Sequence, residues 1–254
     1  MIKFFRKIRK QLLAEGKFGN YLLYAIGEII LVVIGILIAL AINNSNENRI
    51  KREKEQVYLA GLQEEFETSK IKLEELIKVN RQSYEAAKTM VSFSYNEISL
   101  SEEELSNLFI DAFAYDIFFN PNNSMLTEMI NSGSLKDISN DTLRFRLTNW
   151  IATIDDIEKQ EKLLSDQRNN VINMFKAESY SIRTVLDQTG MSAELGLPKE
   201  KNPMSNMDAL NSKSFENSIL LFIITSLATE TAHYTPLMHS LDAILELLDG
   251  EIRE

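Results

Sequence analysis

The longest apolar stretch of the chain lies near its start. Residues 21–42, YLLYAIGEIILVVIGILIALAI, contain a single ionisable side chain, Glu28. An α-helix of this length spans roughly 33 Å, at about 1.5 Å per residue, which is enough to cross the hydrocarbon core of a bilayer. Helices of soluble domains rarely stay apolar on every side over such a length, so the pattern predicts a transmembrane helix.

Beyond residue 46 the pattern changes to a heptad repeat, in a helix predicted from about Glu47 to Ser92. Apolar or small residues recur at alternating steps of three and four, which is the seam of a packed helix. They are Leu59, Leu62, Phe66, Ser69, Leu73, Leu76, Asn80, Ser83, Ala87 and Met90. The seam fits packing within one chain or between two chains. Its serines and asparagine weaken it as an independent zipper, so packing within the chain is favoured.

Local start and stop signals divide the remainder into further helices. Ser101 and Glu104 have the spacing of a capping box, and Pro236 is expected to kink or split the last helix. The predicted helices cover residues 102–120, 124–130, 141–175 (capped by Ser139 or Asn140), 178–187 and 215–253, with a loop at 188–214.

These elements predict an all-α fold, with an N-terminal transmembrane helix followed by an extended antiparallel helical bundle of four major helices. The chain has nine glycines and four prolines, too few turn residues for a many-stranded β domain. Three segments are expected: a basic amphipathic leader at 1–20, the membrane helix at 21–42 and the bundle at 43–254.

Charge is distributed unevenly and predicts the orientation. Residues 1–20 contain six basic side chains and one acidic side chain, so the positive-inside rule favours a cytoplasmic N-terminus and a periplasmic bundle at the inner membrane. The leader is interpreted either as a helix lying on the membrane surface or as a flexible segment that only orients insertion. Cleavage after Ala39-Leu40-Ala41 is disfavoured, because the apolar region is too long for a signal peptide and contains a carboxylate.

Composition excludes several kinds of chemistry. Of the chain's 27 basic and 37 acidic residues, positions 1–42 contain six and two, which leaves residues 43–254 with 21 and 35 and a net charge of −14. An acidic surface of this kind argues against nucleic-acid binding. The chain has no cysteine, which excludes disulfides and thiolate sites.

Candidate catalytic and metal-binding residues are few. Glu230 and His233 form a Glu-x-x-His pair, but a helical di-iron site needs a second such pair and further glutamates. Asp155, Asp156, Glu158 and Glu161 are interpreted as a solvated helix face, and Phe109, Phe113, Tyr115, Phe118 and Phe119 as core residues or, alternatively, the lining of a binding groove. The sequence predicts no enzyme activity, no cofactor and no metal site.

The candidate functional residues lie in the membrane helix. Glu28 is costly at its depth, so it is expected to be protonated, to reach the headgroups or to pair with a basic group. Gly27, Gly35 and Ala39 are small residues, and Gly35 and Ala39 form a small-xxx-small contact motif. We predict that Gly27, Glu28, Gly35 and Ala39 dock a partner helix; the alternative is a Glu28 that reaches the headgroups beside glycines of no consequence.

Residues 17–44, KFGNYLLYAIGEIILVVIGILIALAINN, resemble the N-terminal motif of a family of uncharacterised single-pass membrane proteins of Bacteroidota. Ala41 and Ser45 depart from that motif, where glutamine and tryptophan are usual. Residues 120–138, NPNNSMLTEMINSGSLKDI, are similar to the family's middle segment. The resemblance implies an inner-membrane protein with a helical periplasmic domain, and it supplies no activity.

Together these patterns predict a membrane-anchored, non-enzymatic interaction and assembly module. Its expected partners are the lipid bilayer and either a second copy of the chain or another membrane protein. The alternative is a periplasmic ligand-sensing bundle, which would need a partner protein to carry a signal across the membrane.

Overall fold

The computed structural model describes residues 18–93, 100–176 and 179–252, and within these ranges the chain forms helices and turns with no strand. The all-α fold class is therefore confirmed. The helices are α1 (Phe18–Phe93), α2 (Glu102–Phe113), α3 (Ser124–Ser132), α4 (Asp141–Met174), α5 (Ile182–Gln188), α6 (Met191–Glu194), α7 (Lys213–Thr229) and α8 (Thr235–Glu251).

The chain divides into two compact units, the first ending at Val57 and the second running from Tyr58 to Glu254. In the first unit, α1 exposes the large aliphatic side chains from Leu22 to Ile42. Among the described residues, it is the one helix long and apolar enough to cross a membrane. The helices predicted at 21–42 and from about Glu47 are one helix in the structure, since α1 continues through Asn43–Asn46 without interruption. The leader prediction falls largely on residues 1–17, which lie outside the described residues.

The second unit contains four columns that alternate in direction. They are the C-terminal part of α1, then α2 with α3, then α4, then α7 with α8. The first and last columns run in opposite directions, as two side-chain hydrogen bonds show. Gln63 pairs with Asp249 and, further along α1, Lys70 pairs with the earlier residue Asp242. The third and last columns are also antiparallel, since Asn140 hydrogen-bonds Glu251 and Gln160 hydrogen-bonds Thr229. The antiparallel bundle is confirmed.

The second column is broken, and here the sequence prediction was wrong. We expected one helix through residue 120, but α2 ends at Phe113 and residues 115–123 are not helical. Contacts with other columns hold this segment: the Phe119 N–H donates to a carboxylate of α4, and the Asn122 N–H donates to Ser69 Oγ of α1. These distant acceptors replace the hydrogen bonds of a longer helix.

The seam of α1 packs inside the bundle of the same chain. Nine of its ten predicted residues are buried and Leu76 is half-buried. The buried apolar residues separate into two cores. The first core surrounds Phe66 and Trp150, and the second surrounds Phe113 and Phe222.

Capping residues begin the helices where local signals predicted. Ser101 accepts from the Glu104 N–H, and the Glu104 carboxylate accepts from the Ser101 N–H, which confirms the capping box. Asn140 rather than Ser139 caps α4, by accepting from the Leu143 N–H. Gly133 ends α3 with φ at +70°, a left-handed conformation that glycine adopts without strain.

The last column contains the expected interruption. A π-helical turn, Glu230–Tyr234, separates α7 from α8, and Pro236 lies in the first turn of α8. Proline lacks an N–H and crowds the carbonyl four residues before it, so a regular α-helix cannot continue through this point. The predicted loop at 188–214 contains α6 and a short 3₁₀ turn, Met207–Asn211.

The N-terminus of α3 depends on a residue from another helix. The Glu65 carboxylate of α1 accepts from the N–H groups of Met125 and Leu126. The side chain of Asn123, at the N-cap, instead accepts from Trp150 Nε1. Glu65 therefore serves as the cap that α3 would otherwise take from its own sequence.

We expect Glu65→Ala to lower the free energy of unfolding by about 1–2 kcal/mol, because two helix N–H groups lose their acceptor. Glu64→Ala is the matched control; its exposed side chain predicts a change within about 0.5 kcal/mol. Urea unfolding of the full chain in mild detergent measures both, and equal midpoints for the two variants would contradict the assignment.

Candidate functional site

The predicted membrane-helix residues all lie on the regular part of α1. A Cβ placed on Gly27 or Gly35 would have no heavy atom of the described residues within 4 Å, apart from its own residue, its two chain neighbours and the adjacent turns of the helix backbone. Ala39 is exposed and Glu28 is half-exposed. The surface beside both glycines is thus open to close approach by another helix.

Helix geometry places three of the four predicted contact residues on one narrow face of α1. At about 100° per residue, Glu28, Gly35 and Ala39 fall within an arc of about 40°. Gly27 lies about 80° from Gly35 around the helix, so it borders the stripe rather than belonging to it. We call Glu28, Gly35 and Ala39 the membrane stripe. Its contact with a partner stays a prediction.

A second candidate site lies in the bundle, where a polar layer separates the two cores. On α1 the layer contains Asn80, on α4 Glu161, and on the last column Ser226, Glu230 and Tyr234. All five residues are buried. Three of their polar atoms, Asn80 Oδ1, Ser226 Oγ and Glu230 Oε2, are buried with no hydrogen-bond partner among the described residues.

Glu161 is the centre of the layer and is only 2% exposed. One of its carboxylate oxygens, Oε1, accepts from the Phe119 N–H and from the Tyr234 hydroxyl, each at 2.8 Å. Burial raises the pKa of Glu161, and the two hydrogen bonds partly oppose that effect. Burial, reinforced by the adjacent Glu161 carboxylate, also raises the pKa of Tyr234.

The π-helical turn directs Glu230 and Tyr234 into the bundle. Both are buried, and the Glu230 carbonyl accepts from the Thr235 hydroxyl across the turn. A π-turn inserts an extra residue into the helix, which changes the direction of the following side chains. This turn places Tyr234 within hydrogen-bonding distance of Glu161.

Glu230 forms the layer's ion pair with Arg81 of α1, whose guanidinium donates through both Nε and Nη2. Glu230 is buried, whereas the side chain of Arg81 is largely exposed. Nearby, burial and then the Glu230 charge raise the pKa of Tyr84. The ion pair therefore lies at the edge of the bundle, where solvent reaches its cation.

Two neutral hydrogen bonds also join helices at the level of the polar layer. Asn80 Nδ2 donates to the Ser226 carbonyl at 3.1 Å, and Gln160 Nε2 donates to Thr229 Oγ1 at 2.9 Å. The layer consequently joins α1, α4 and α7 at one level of the bundle. Its geometry provides two buried carboxylates. Glu161 is engaged by the Phe119 N–H and the Tyr234 hydroxyl, whereas Glu230 is engaged by Arg81 through Oε1 alone.

The polar layer corrects the sequence interpretation of Glu161. Glu161 was assigned to a solvated face, but it is buried, while Asp155, Asp156 and Glu158 are exposed as expected. The spacing that places Glu161 in line with Ile157 and Leu164 was the signal available, since both neighbours are core residues.

The aromatic cluster was only partly assigned correctly. Phe109, Phe113 and Phe119 are buried in the cores, whereas Tyr115 and Phe118 are exposed. The physical reason is the end of α2 at Phe113, after which the side chains no longer follow a helical period. Tyr115 and Phe118 therefore belong to the non-helical segment.

The Glu-x-x-His pair does not form part of a metal-binding cluster in the described structure. Glu230 bonds Arg81, and His233 is half-exposed. Among the residues that the structure describes, no group of three or more histidine, aspartate or glutamate side chains could hold a metal ion.

Comparison with known proteins identifies the family. The model of a family of unknown function, DUF6090, matches residues 28–173, more than half of the chain, so the chain belongs to this family. The matched range includes the membrane stripe and Glu161. No curated protein and no solved structure matches the chain.

We expect the stability of the wild type to fall, relative to Glu161→Gln, as pH rises above the ordinary carboxyl pKa of 4.5. The folded-state pKa of Glu161 is raised, so the folded protein binds the proton more tightly than the unfolded chain does. This stabilisation is present at low pH and is lost as pH rises from the unfolded pKa through the folded pKa. The loss amounts to about 1.4 kcal/mol for each unit by which the pKa is raised.

Urea unfolding of the full chain across a pH series measures this difference. Asp166→Asn, at an exposed position on the same helix, is the control and should follow the wild type at every pH, because the Asp166 carboxylate is not among the groups that shift the pKa of Glu161. Parallel stability curves for the wild type and Glu161→Gln would contradict the assignment.

Proposed function

We propose that this member of the DUF6090 family is a single-pass protein of the inner membrane and a non-enzymatic assembly module. In this proposal residues 1–20 are cytoplasmic, residues 21–42 cross the membrane and residues 43–254 form a periplasmic bundle. In this proposal DUF6090 is the same family of Bacteroidota membrane proteins whose N-terminal motif is similar to residues 17–44.

The exposed apolar surface of α1 is the observation that carries the proposal. The large aliphatic side chains from Leu22 to Ile42 are all exposed in the structure, although transfer from water is favourable by about 25 cal/mol for each Å² of apolar surface. A bilayer provides that transfer over a length that matches its hydrocarbon core.

The membrane stripe supports assembly through the same helix. Small residues at Gly35 and Ala39 allow two backbones to approach closely, so that van der Waals contacts form without large side chains between them. Glu28 lies on the same face of the helix, which places a polar group of the membrane helix at the proposed contact. The stripe is thus proposed to contact a second copy of the chain or another membrane protein.

The polar layer favours a second candidate function, ligand sensing by the bundle. π-turns occur often at functional sites, and the turn at Glu230–Tyr234 directs two polar side chains into the interior. A screen of small polar ligands by thermal shift on the full chain tests this candidate. A ligand that raises the unfolding temperature of the wild type but not of Glu230→Gln would support it.

Cysteine crosslinking in native membranes tests assembly through the stripe, because the chain has no cysteine of its own. We expect Ala39→Cys to form covalent adducts on mild oxidation or with a bifunctional thiol reagent. Leu37→Cys is the matched control, since Leu37 is exposed and lies about 180° from Glu28 around the helix.

We further expect Glu28→Gln to lower the yield of the Ala39→Cys adduct, since the substitution replaces the carboxyl group at the proposed contact. Recovery of monomer alone from Ala39→Cys, with and without Glu28→Gln, would overturn the proposed assembly through the stripe. The gel position of the adduct then identifies a second copy or a different protein.

A further inference from the structure

A small cavity lies beside the polar layer, where α1, α4 and α7 meet the segment after α2. The space open to the centre of a water molecule is about 10 Å³, close to the amount that one bound water requires. The walls combine polar residues with buried apolar side chains: Asn80, Asp116, Ser165 and Arg168 with Leu164 and Phe222. The cavity therefore has the size and the lining of a site for one small polar molecule.

Two of the lining residues have polar atoms without a partner. Asn80 Oδ1 and Arg168 Nε are both buried, and neither forms a hydrogen bond with any of the described residues. Buried polar groups in folded proteins are paired as a rule, either with the protein or with ordered water. Asn80 Oδ1 can only accept a hydrogen bond and Arg168 Nε can only donate one. The two unpaired atoms at this cavity are therefore complementary.

The orientation of the Asn80 amide is fixed by α7. Its Nδ2 donates to the Ser226 carbonyl at 3.1 Å, and a carbonyl oxygen can only accept. Turning the amide over would place two acceptors against each other, so the oxygen is the atom that is left unpaired. Asn80 thus has an acceptor, and not a donor, available to a molecule in the cavity.

The Arg168 guanidinium is positioned by its other two nitrogens. Nη1 donates to Asn169 Oδ1 at 3.2 Å, and Nη2 donates to the Ala114 carbonyl at 3.3 Å. The Asp116 carboxylate, which accepts from Ser165 Oγ at 3.0 Å, adds further acceptor capacity to the wall of the cavity. The site consequently offers one fixed donor and more than one acceptor.

We propose that this cavity binds one water molecule, which accepts a hydrogen bond from Arg168 Nε and donates one to Asn80 Oδ1. The second proton of the water has an acceptor in the Asp116 carboxylate. Water is the ligand that serves an unpaired donor and an unpaired acceptor at once in so small a space. A metal cation does not suit the site, because it cannot accept the Arg168 hydrogen bond and would be repelled by the guanidinium.

The bound water completes a hydrogen-bonded chain through all four columns of the bundle. The chain begins at the Ser226 carbonyl in the last column and passes through Asn80 of α1. It continues through the water to Arg168 of α4 and ends at Ala114, the residue that follows α2. The segment after α2 is then tied to the polar layer at a second place besides Phe119. This role is independent of the membrane anchoring and assembly proposed above.

Arginine-selective ¹⁵N labelling of the full chain in detergent micelles tests the site by NMR. The Arg168 Nε–H resonance is identified by its loss in Arg168→Lys. In the wild type we expect a cross-peak between this proton and water that has opposite signs in NOESY and ROESY spectra. Opposite signs report contact with a held water molecule, whereas proton exchange with bulk water gives the same sign in both. Arg52, which is exposed, is the control and should show exchange alone.

Two variants test whether the Asn80 oxygen holds the water. Asn80→Leu removes the acceptor, so it should abolish the opposite-sign cross-peak of Arg168. Ser83→Ala is the matched control, since Ser83 is buried and lines the same cavity. The cross-peak should remain in this variant, because the two proposed partners of the water are unchanged.

An Arg168 Nε–H that shows no cross-peak to water, or exchange alone, would overturn the inference in the wild type, whatever the folding of the variants. A cross-peak that survives Asn80→Leu would also overturn it, because the water would then not depend on the Asn80 oxygen. Loss of the cross-peak in Ser83→Ala would do the same, since Ser83 rather than Asn80 would be the partner that the water requires.

Discussion

The bundle depends on the burial of one carboxylate, Glu161. A buried carboxylate is tolerated when hydrogen-bond donors surround it. Here the donors are the Phe119 N–H and the Tyr234 hydroxyl, which belong to two different columns. The buried Glu161 carboxylate needs these two donors. Supplying them fixes the path of the segment after α2 and the direction of the side chains after the π-turn. Both irregular parts of the fold converge on the same oxygen atom.

The sequence was sufficient where a structural choice is made locally. The capping box at Ser101, the cap at Asn140 and the stop at Gly133 each involve residues within one helical turn, and all three are present in the structure. The seam of α1 was also readable, because burial follows the period of a single helix. Pro236 likewise predicts the interruption of the last column from a local feature of the sequence.

Prediction was insufficient where residues distant in sequence decide the outcome. The end of α2 at Phe113 depends on acceptors 42 and 53 residues from the segment that follows. Glu161 is a charged residue close to other carboxylates of α4, so the local sequence predicts exposure to solvent. Its burial depends on two hydrogen-bond donors from other columns. For the membrane helix, regular geometry places Glu28, Gly35 and Ala39 on one face with Gly27 beside it, and the contact of these residues with a partner stays a prediction.

The polar layer also bears on how the bundle opens. Apolar contacts make each core cohesive, whereas the layer between them is held by directional hydrogen bonds, each of which makes a modest net contribution to stability. The two cores can therefore exchange their amide hydrogens as separate foldons.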